Sequence, residues 1–270
     1  MRVTILGSGS CGNATLVEGR SARVLIDAGV APELLEERMR FALGEVVRPD
    51  AIILTHPHGD HACRAAACAR RFEAPVYLSE ACERRLTLDG AKRRVFGRSA
   101  PFDVGGLRVE PVPIPHDAPN VALVLDDGGV RAATLTDLGH IPAGLANALA
   151  GCRLVMLESN YDPNMLAKGP YPLSLRTRIA SRTGHLSNQQ AAQLLARLGA
   201  HTREVVLMHL SERCNTPMLA LDAARRALAS RSVRVEVKVS AASPDVPIVI
   251  EVERDPVPAA RSTQLSLDLS

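Results

Sequence analysis

The side chains best suited to chemistry lie together in Thr55-His56-Pro57-His58-Gly59-Asp60-His61. This segment follows the apolar run Ala51-Ile52-Ile53-Leu54 and precedes an Ala-rich stretch, so it reads as a strand-to-helix loop. Three imidazoles and a carboxylate in so short a loop can converge on one point. Imidazole suits Zn, Mn or Fe, and a carboxylate adds charge neutralisation. Pro57 fixes the turn and Gly59 loosens it, so that alternate side chains face inward. Cys63 and Cys214, near these and later candidate positions, read as small packing residues.

The elements that position this loop follow from hydrophobic patterning. Short β-branched runs predict strands at Val3–Leu6, Val24–Ile26, Ala51–Leu54, Val76–Leu78, Leu107–Val112, Val121–Leu125, Arg131–Leu135, Leu154–Leu157, Val205–Leu207, Val233–Val239 and Val246–Val252. Helical spacing predicts helices at Pro32–Leu43, Asp60–Phe72, Glu80–Leu88, Ala143–Leu149, Ser174–Arg182, Asn188–Leu198 and Met218–Ala229. Ser187 is the expected N-cap of Asn188–Leu198 and Gly199 its expected stop. A hairpin-rich opening followed by strand–helix alternation favours a layered α/β sandwich over a βα barrel. One domain over residues 1–254 is expected, with 255–270 as a mobile tail.

At 46% hydrophobic residues the 270-residue chain is too apolar for disorder, and it lacks a collagen-like period or sustained heptads. No apolar run is long enough to span a membrane, and MRVTILGSGS lacks the pattern of a secretory leader. Six cysteines without disulfide-like or CxxC spacing then predict reduced thiols in a cytoplasmic protein. The net charge of +3 is uninformative, but its distribution is not. From Pro163 to Arg203 there is no Asp or Glu, while Lys168, Arg176, Arg178, Arg182, Arg197 and Arg203 are basic. A second cluster is Arg84, Arg85, Lys92, Arg93, Arg94 and Arg98, opposed within it only by Asp89. Most charge runs are solvated faces, but an acid-free stretch suits a phosphate backbone. With no Trp, four Phe and three Tyr, strand binding is expected to be mainly electrostatic and to weaken steeply with salt.

The HxHxDH segment after a strand resembles the signature of the metallo-β-lactamase superfamily. That resemblance implies a single-domain, four-layer αβ/βα sandwich with a dinuclear metal site on its edge. Further ligands are then expected at later strand ends, where His116, Asp137 and His209 occur in order. Carried over, His56, His58 and His116 hold one divalent ion (Zn or Mn), and Asp60, His61 and His209 hold the other. Asp137 bridges them. Leu25-Ile26-Asp27-Ala28-Gly29 matches the family's first motif, whose Asp orients the ligand loop from behind. Further stretches resemble the YycJ/WalJ (VicX) type, regarded as 5′-to-3′ DNA exonucleases. They are Gly7–Thr15, Leu157–Asp162, Gly169–Pro172 and Gly184–Asn188. Departures occur at the short loop Ala118–Asn120 and at Leu138 and His140, where the family more often has Thr and Tyr.

The resulting expectation is a dinuclear metal-dependent phosphodiesterase acting on DNA in repair or replication, with Asp60, Asp137 and His185 as catalytic residues. His185, in the acid-free stretch just before a helix, is placed to stabilise charge on a scissile phosphate or to donate a proton. Ser10 and Asn13 are equally explained by turn chemistry, and His140 and His201 read as structural. The alternatives are an RNA-processing nuclease, a small-substrate thioester or lactam hydrolase, and a non-enzymatic adaptor. Gln264-Leu265-Ser266-Leu267-Asp268-Leu269 resembles the hexapeptide with which bacterial proteins bind the replicative sliding clamp, and it favours DNA over RNA.

Overall fold

The computed structural model describes residues 1–233 and 235–254. The tail, including Gln264–Leu269, lies outside the described residues. The first sheet is entered by β1 (Arg2–Gly7), β2 (Ala14–Glu18), β3 (Arg23–Ile26), β4 (Ala51–Ile53), β5 (Val76–Ser79) and β6 (Arg93–Phe96). The second contains β7 (Phe102–Val104), β8 (Leu107–Ile114), β9 (Asn120–Asp126), β10 (Arg131–Leu135), β11 (Cys152–Glu158), β12 (Glu204–Met208) and β13 (Lys238–Ala241). The chain then returns β14 (Ile248–Glu251) to the first sheet, antiparallel to β1. The strand orders are β14-β1-β2-β3-β4-β5-β6 and β13-β12-β11-β10-β9-β8-β7.

Each sheet is antiparallel where it begins and parallel from β3 to β6 and from β10 to β13. Alternate residues of the central strands enter different cores, which is why those strands read as continuous apolar runs. Val24 and Ile53 join Val109, Leu123, Leu154 and Val206 between the sheets. Their neighbours Leu25 and Ile52 pack outward against α1 (Pro32–Leu43) and α3 (Ala65–Phe72). On the other side Leu135, Val155 and Leu207 pack under α8 (Asn188–Leu195) and α9 (Pro217–Ala229). The order helix, sheet, sheet, helix is the expected αβ/βα sandwich. Short helices α2 (Gly59–Ala62), α4 (Glu80–Glu83), α5 (Leu145–Ala148), α6 (Pro163–Lys168) and α7 (Leu173–Ile179) complete the chain. No helix among the described residues is long and apolar enough to cross a membrane.

The expected helix Asp60–Phe72 is broken in two for a specific reason. A continuous helix would give the Asp60 carbonyl to the Arg64 N–H. Here that carbonyl accepts from Asn13 N at 2.7 Å, and Arg64 N donates to Ala28 O at 2.9 Å. The metal-ligand-type loop is thus tied to two earlier loops at the expense of helix continuity. Strands β2, β6 and β7 were not expected from patterning. β6 is an edge strand bearing exposed Arg93 and Arg94, and β7 is three residues long. Ser187 does cap α8, in a reciprocal capping box with Gln190. Gly199 is not the stop: the helix ends at Leu195, and the turn bonds Arg197 N to Leu194 O and Leu198 N to Leu195 O carry the chain to it. Replacing Ser187 by Ala removes that cap and should lower unfolding stability by about 1 kcal/mol, read from the urea midpoint, with an unchanged slope.

Candidate metal centre

The site forms where the C-terminal ends of strands from both sheets meet. Asp27 follows β3, the loop His56–His61 follows β4, Asp137 follows β10, Glu158 ends β11 and His209 follows β12. Asp27, Asp137 and His209 adopt left-handed φ values of 61°, 59° and 54°. Among the described residues only Glu73 shares that conformation without being glycine. Such backbone costs about 1 kcal/mol or more per residue and persists where surrounding contacts demand it. Here it turns the side chains inward at the ends of the strands. Gly29 is required for a different reason: a Cβ there would meet the Asp60 carbonyl oxygen at 1.8 Å.

Hydrogen bonding fixes which ring nitrogens face the centre. The Thr55 hydroxyl donates its single proton to the Asp27 carboxylate, at 2.9 Å from Oδ2, so it accepts from His56 Nδ1 at 3.0 Å. His56 Nε2 is left with its lone pair, fully buried and without a partner. His61 Nδ1 donates to Asp27 Oδ2 at 2.7 Å and His116 Nδ1 to the Gly184 carbonyl at 3.1 Å. His58 directs Nε2 at Asp117 Oδ1, 3.1 Å away, which leaves Nδ1 facing His116 Nε2 at 3.2 Å. Nitrogens of His56, His58 and His116 therefore converge within 4.8 Å of one another, and so do ligand atoms of Asp60, His61 and His209. Asp137 stands between: its Oδ2 is 2.7 Å from His61 Nε2 and 3.7 Å from His56 Nε2, and its Oδ1 is 3.2 Å from His209 Nδ1. Asp137 Oδ2 is itself buried without a hydrogen bond. Unpartnered lone pairs on a buried imidazole and a buried carboxylate are costly unless a cation completes them, so the donor set fits divalent metal.

All seven ligand-type residues singled out in the sequence meet here, with His185 at their edge. Patterning did not single out Glu158. It is fully buried, accepts from Leu138 N (2.9 Å) and Leu186 N (3.1 Å), and faces His185 Nδ1 at 2.7 Å and His209 Nδ1 at 3.2 Å. The available signal was its place: an acid ending an apolar strand, as Asp137 and His209 follow theirs. The ion pair of Asp117 with Arg178 of α7 was likewise missed. Cys63 is exposed, and Cys214 is buried beside Tyr161 and Leu166; neither joins a ligand group. His140 staples its loop to the Arg182 carbonyl at 2.8 Å.

A family model for the beta-lactamase superfamily domain matches residues 22–210, the span that contains every one of these strand ends. The chain belongs to that superfamily. Within it, the chain is 30% identical over 260 residues to the exodeoxyribonuclease WalJ of Streptococcus pneumoniae, covering 90% of this chain and 95% of the relative. It is 29% identical over 227 residues to the exodeoxyribonuclease YycJ of Bacillus anthracis, covering 82% and 86%. These matches place it in the WalJ/YycJ group of the superfamily. Among solved structures, the metallo-beta-lactamase fold protein YhfI of Bacillus subtilis superposes with a TM-score of 0.70, at 18% identity over 93% of this chain and 99% of that one. This superfamily member is a metal-dependent hydrolase.

The electrostatics of the centre follow from burial among charges. Burial drives His56 well below the ordinary imidazole range, and the neighbouring His61 adds to the effect. His209 behaves oppositely: burial opposes its charge, but Asp137 and hydrogen bonds to Asp60 and Glu158 hold its pKa up at about 9. His61 is also raised, against burial, by Asp27 and Asp137. Without metal, His61 and His209 thus carry protons that an incoming cation must displace. Because His209 keeps its proton up to about pH 9, apparent metal affinity should rise with pH from about 6.5 to 9. Calorimetry in buffers of differing ionisation enthalpy should detect about one to two protons released per loading event at pH 7.

Proposed function

We propose that the protein is a dinuclear metal-dependent phosphodiesterase that degrades DNA in the 5′-to-3′ direction. The observation that carries this reading is the meeting of two ligand triads at Asp137 beside an open pocket lined by Arg178, Asn160 and His185. A substrate with phosphodiester oxygens on one side and a chain continuing outward suits such a site. Similarity to two proteins named exodeoxyribonucleases over most of the chain supports the choice of polymer.

In this reading His56, His58 and His116 would hold one ion and Asp60, His61 and His209 the other, with Asp137 shared between the two sets and Zn or Mn as the metal. Divalent ions bound there would supply an acidified water and charge stabilisation for the phosphoryl oxygens. Asp60, partly exposed, and buried Asp137 would position the attacking water or take its proton. His185 gives Nδ1 to Glu158, so Nε2 is the nitrogen left for substrate. Burial opposes its charge, but Glu158 and Asp137 outweigh it and hold its pKa well above the ordinary value. A protonated imidazole at the pocket wall can stabilise the phosphoryl oxygens or protonate the leaving oxygen. The acid-free stretch is not one surface: Arg178 flanks the centre, but Arg203 precedes β12 and lies a strand's length, about 17 Å, from the end that carries His209. Free thiols at all six cysteines and a DNA substrate fit a cytoplasmic protein, and the pattern of Gln264–Leu269 fits clamp binding.

The test uses DNA and RNA labelled at either end, with Mn²⁺ or Zn²⁺. Early release of the 5′-terminal nucleotide from DNA is expected, with Asp60→Ala and Asp137→Ala inactive. His185→Ala should retain metal while its kcat falls by about 10²–10³. Preferred release from the 3′ end would overturn the polarity. No strand cleavage with metal bound would point to a small-substrate hydrolase.

A further inference from the structure

The cavity beside the metal centre has an apolar wall that phosphate chemistry does not require. Tyr171, Leu175 and Ile179 form that wall, and His185 lines the same cavity on the side of the centre. Leu175 and Ile179 lie four residues apart on one face of α7, a helix with no fully buried residue. Tyr171 is half-buried and held from behind, where it packs with Ile179 against Tyr161, Leu166 and Cys214. A Cβ at Gly169 would meet Cys214 Sγ at 2.8 Å, so the segment that leads to Tyr171 lies directly on this cluster. An aromatic ring anchored in this way presents its free surface to the cavity at low entropic cost. The cavity volume of about 210 Å³ is smaller than the roughly 300–1,000 Å³ of pockets for drug-sized ligands, so it suits a single ring system.

The same cavity carries an acceptor without a donor. Asn160 is only 6% exposed, and its Nδ2 donates to the His209 carbonyl at 2.7 Å, which fixes the orientation of the amide. Its Oδ1 has no hydrogen bond among the described residues, and the residue lines the cavity. A buried acceptor of this kind calls for an N–H or O–H from a ligand. Beside it the Ser211 hydroxyl accepts from Cys214 N at 3.1 Å and keeps its own proton to donate. A flat apolar wall next to an acceptor and a donor matches a nucleobase, which brings a π-face to the one and polar edge atoms to the others. Every nucleobase has an N–H on its edge, so these contacts admit any of them. A bare sugar phosphate has no flat face for Tyr171, and an acyl chain has no N–H for Asn160.

We propose that this cavity seats the base of the terminal nucleotide, with Tyr171 stacked on its face and Asn160 Oδ1 accepting from its edge. This rests on the nuclease reading of the metal centre and adds to it the residues that select which phosphate is cut. In the hydrolysis a water oxygen bonds to phosphorus, the P–O3′ bond breaks and O3′ takes a proton. His185 lines the cavity with Nε2 left for that proton, so the nucleotide that departs with O3′ is the one seated there. Room for one ring system then means one nucleotide released per cut.

The test uses DNA whose 5′-terminal residue is either thymidine or a deoxyribose analogue without a base, cut by the metal-loaded full chain. For wild type, kcat/KM of the first cut should be about tenfold or more higher on the thymidine end, as expected for one stacked base. Tyr171→Ala should bring that ratio to within about twofold of unity, and Tyr171→Phe should keep it. A wild-type ratio near unity, or a ratio that Tyr171→Ala preserves while both rates fall, would overturn the proposal. Leu175→Ala should lower the same ratio about threefold, and it decides the matter if Tyr171→Ala does not fold. If the wild-type protein cuts no strand, the nuclease reading fails instead. Calorimetry on the loaded protein then still decides the cavity. Thymidine 3′-monophosphate should bind about tenfold tighter than the same sugar phosphate without its base, and equal affinities reject the subsite.

Discussion

Asp137 and Glu158 are buried carboxylates held in their charged form, and the architecture around the centre follows from how that charge is met. A lone buried carboxylate costs several kcal/mol and would take up a proton instead. Asp137 is nevertheless held well below the ordinary range: burial works against it, but His209, His61 and His185 prevail. Glu158 is lowered in the same way by His185 and by hydrogen bonds, again against burial. Asp27 is satisfied by Thr55 and His61. Asp27 and Glu158 each hold a histidine by its Nδ1 and thereby aim its Nε2. The protein thus uses buried acid to set imidazole tautomers, and an array of aimed lone pairs is what a divalent ion requires.

The fold supplies the positions. Parallel strands in both sheets deliver consecutive C-terminal ends to one rim of the sandwich, and the loops built there converge from distant parts of the sequence. Left-handed backbone at Asp27, Asp137 and His209 keeps their side chains directed into the rim where an ordinary strand would continue outward. The broken helix after His61 belongs to the same arrangement. Its lost hydrogen bond is replaced by bonds to Asn13 and Ala28, which lock the ligand loop against the loops after β1 and β3.

Much of this was legible in the sequence because the densest part of the site is contiguous. His56, His58, Asp60 and His61 signal one another by spacing, and the central strands announce themselves as apolar runs. His116, Asp137 and His209 are isolated in the chain and became readable through the family resemblance. Glu158 and the Asp117–Arg178 pair were illegible for the reason that ion pairs usually are: their partners are chosen by tertiary contact. β6 was missed because an edge strand need not be apolar, and its arginines masked its period. The Cys63–Arg64 break was invisible because it depends on bonds from Asn13 and to Ala28.

We propose that this donor set holds two divalent ions bridged by Asp137. Anomalous diffraction at the metal edge from the loaded, full-length protein tests it directly. Two peaks are expected, one among His56, His58 and His116 and one among Asp60, His61 and His209, with the Asp137 carboxylate between them. A single peak, or a peak held instead by Glu158 and His185, would contradict it.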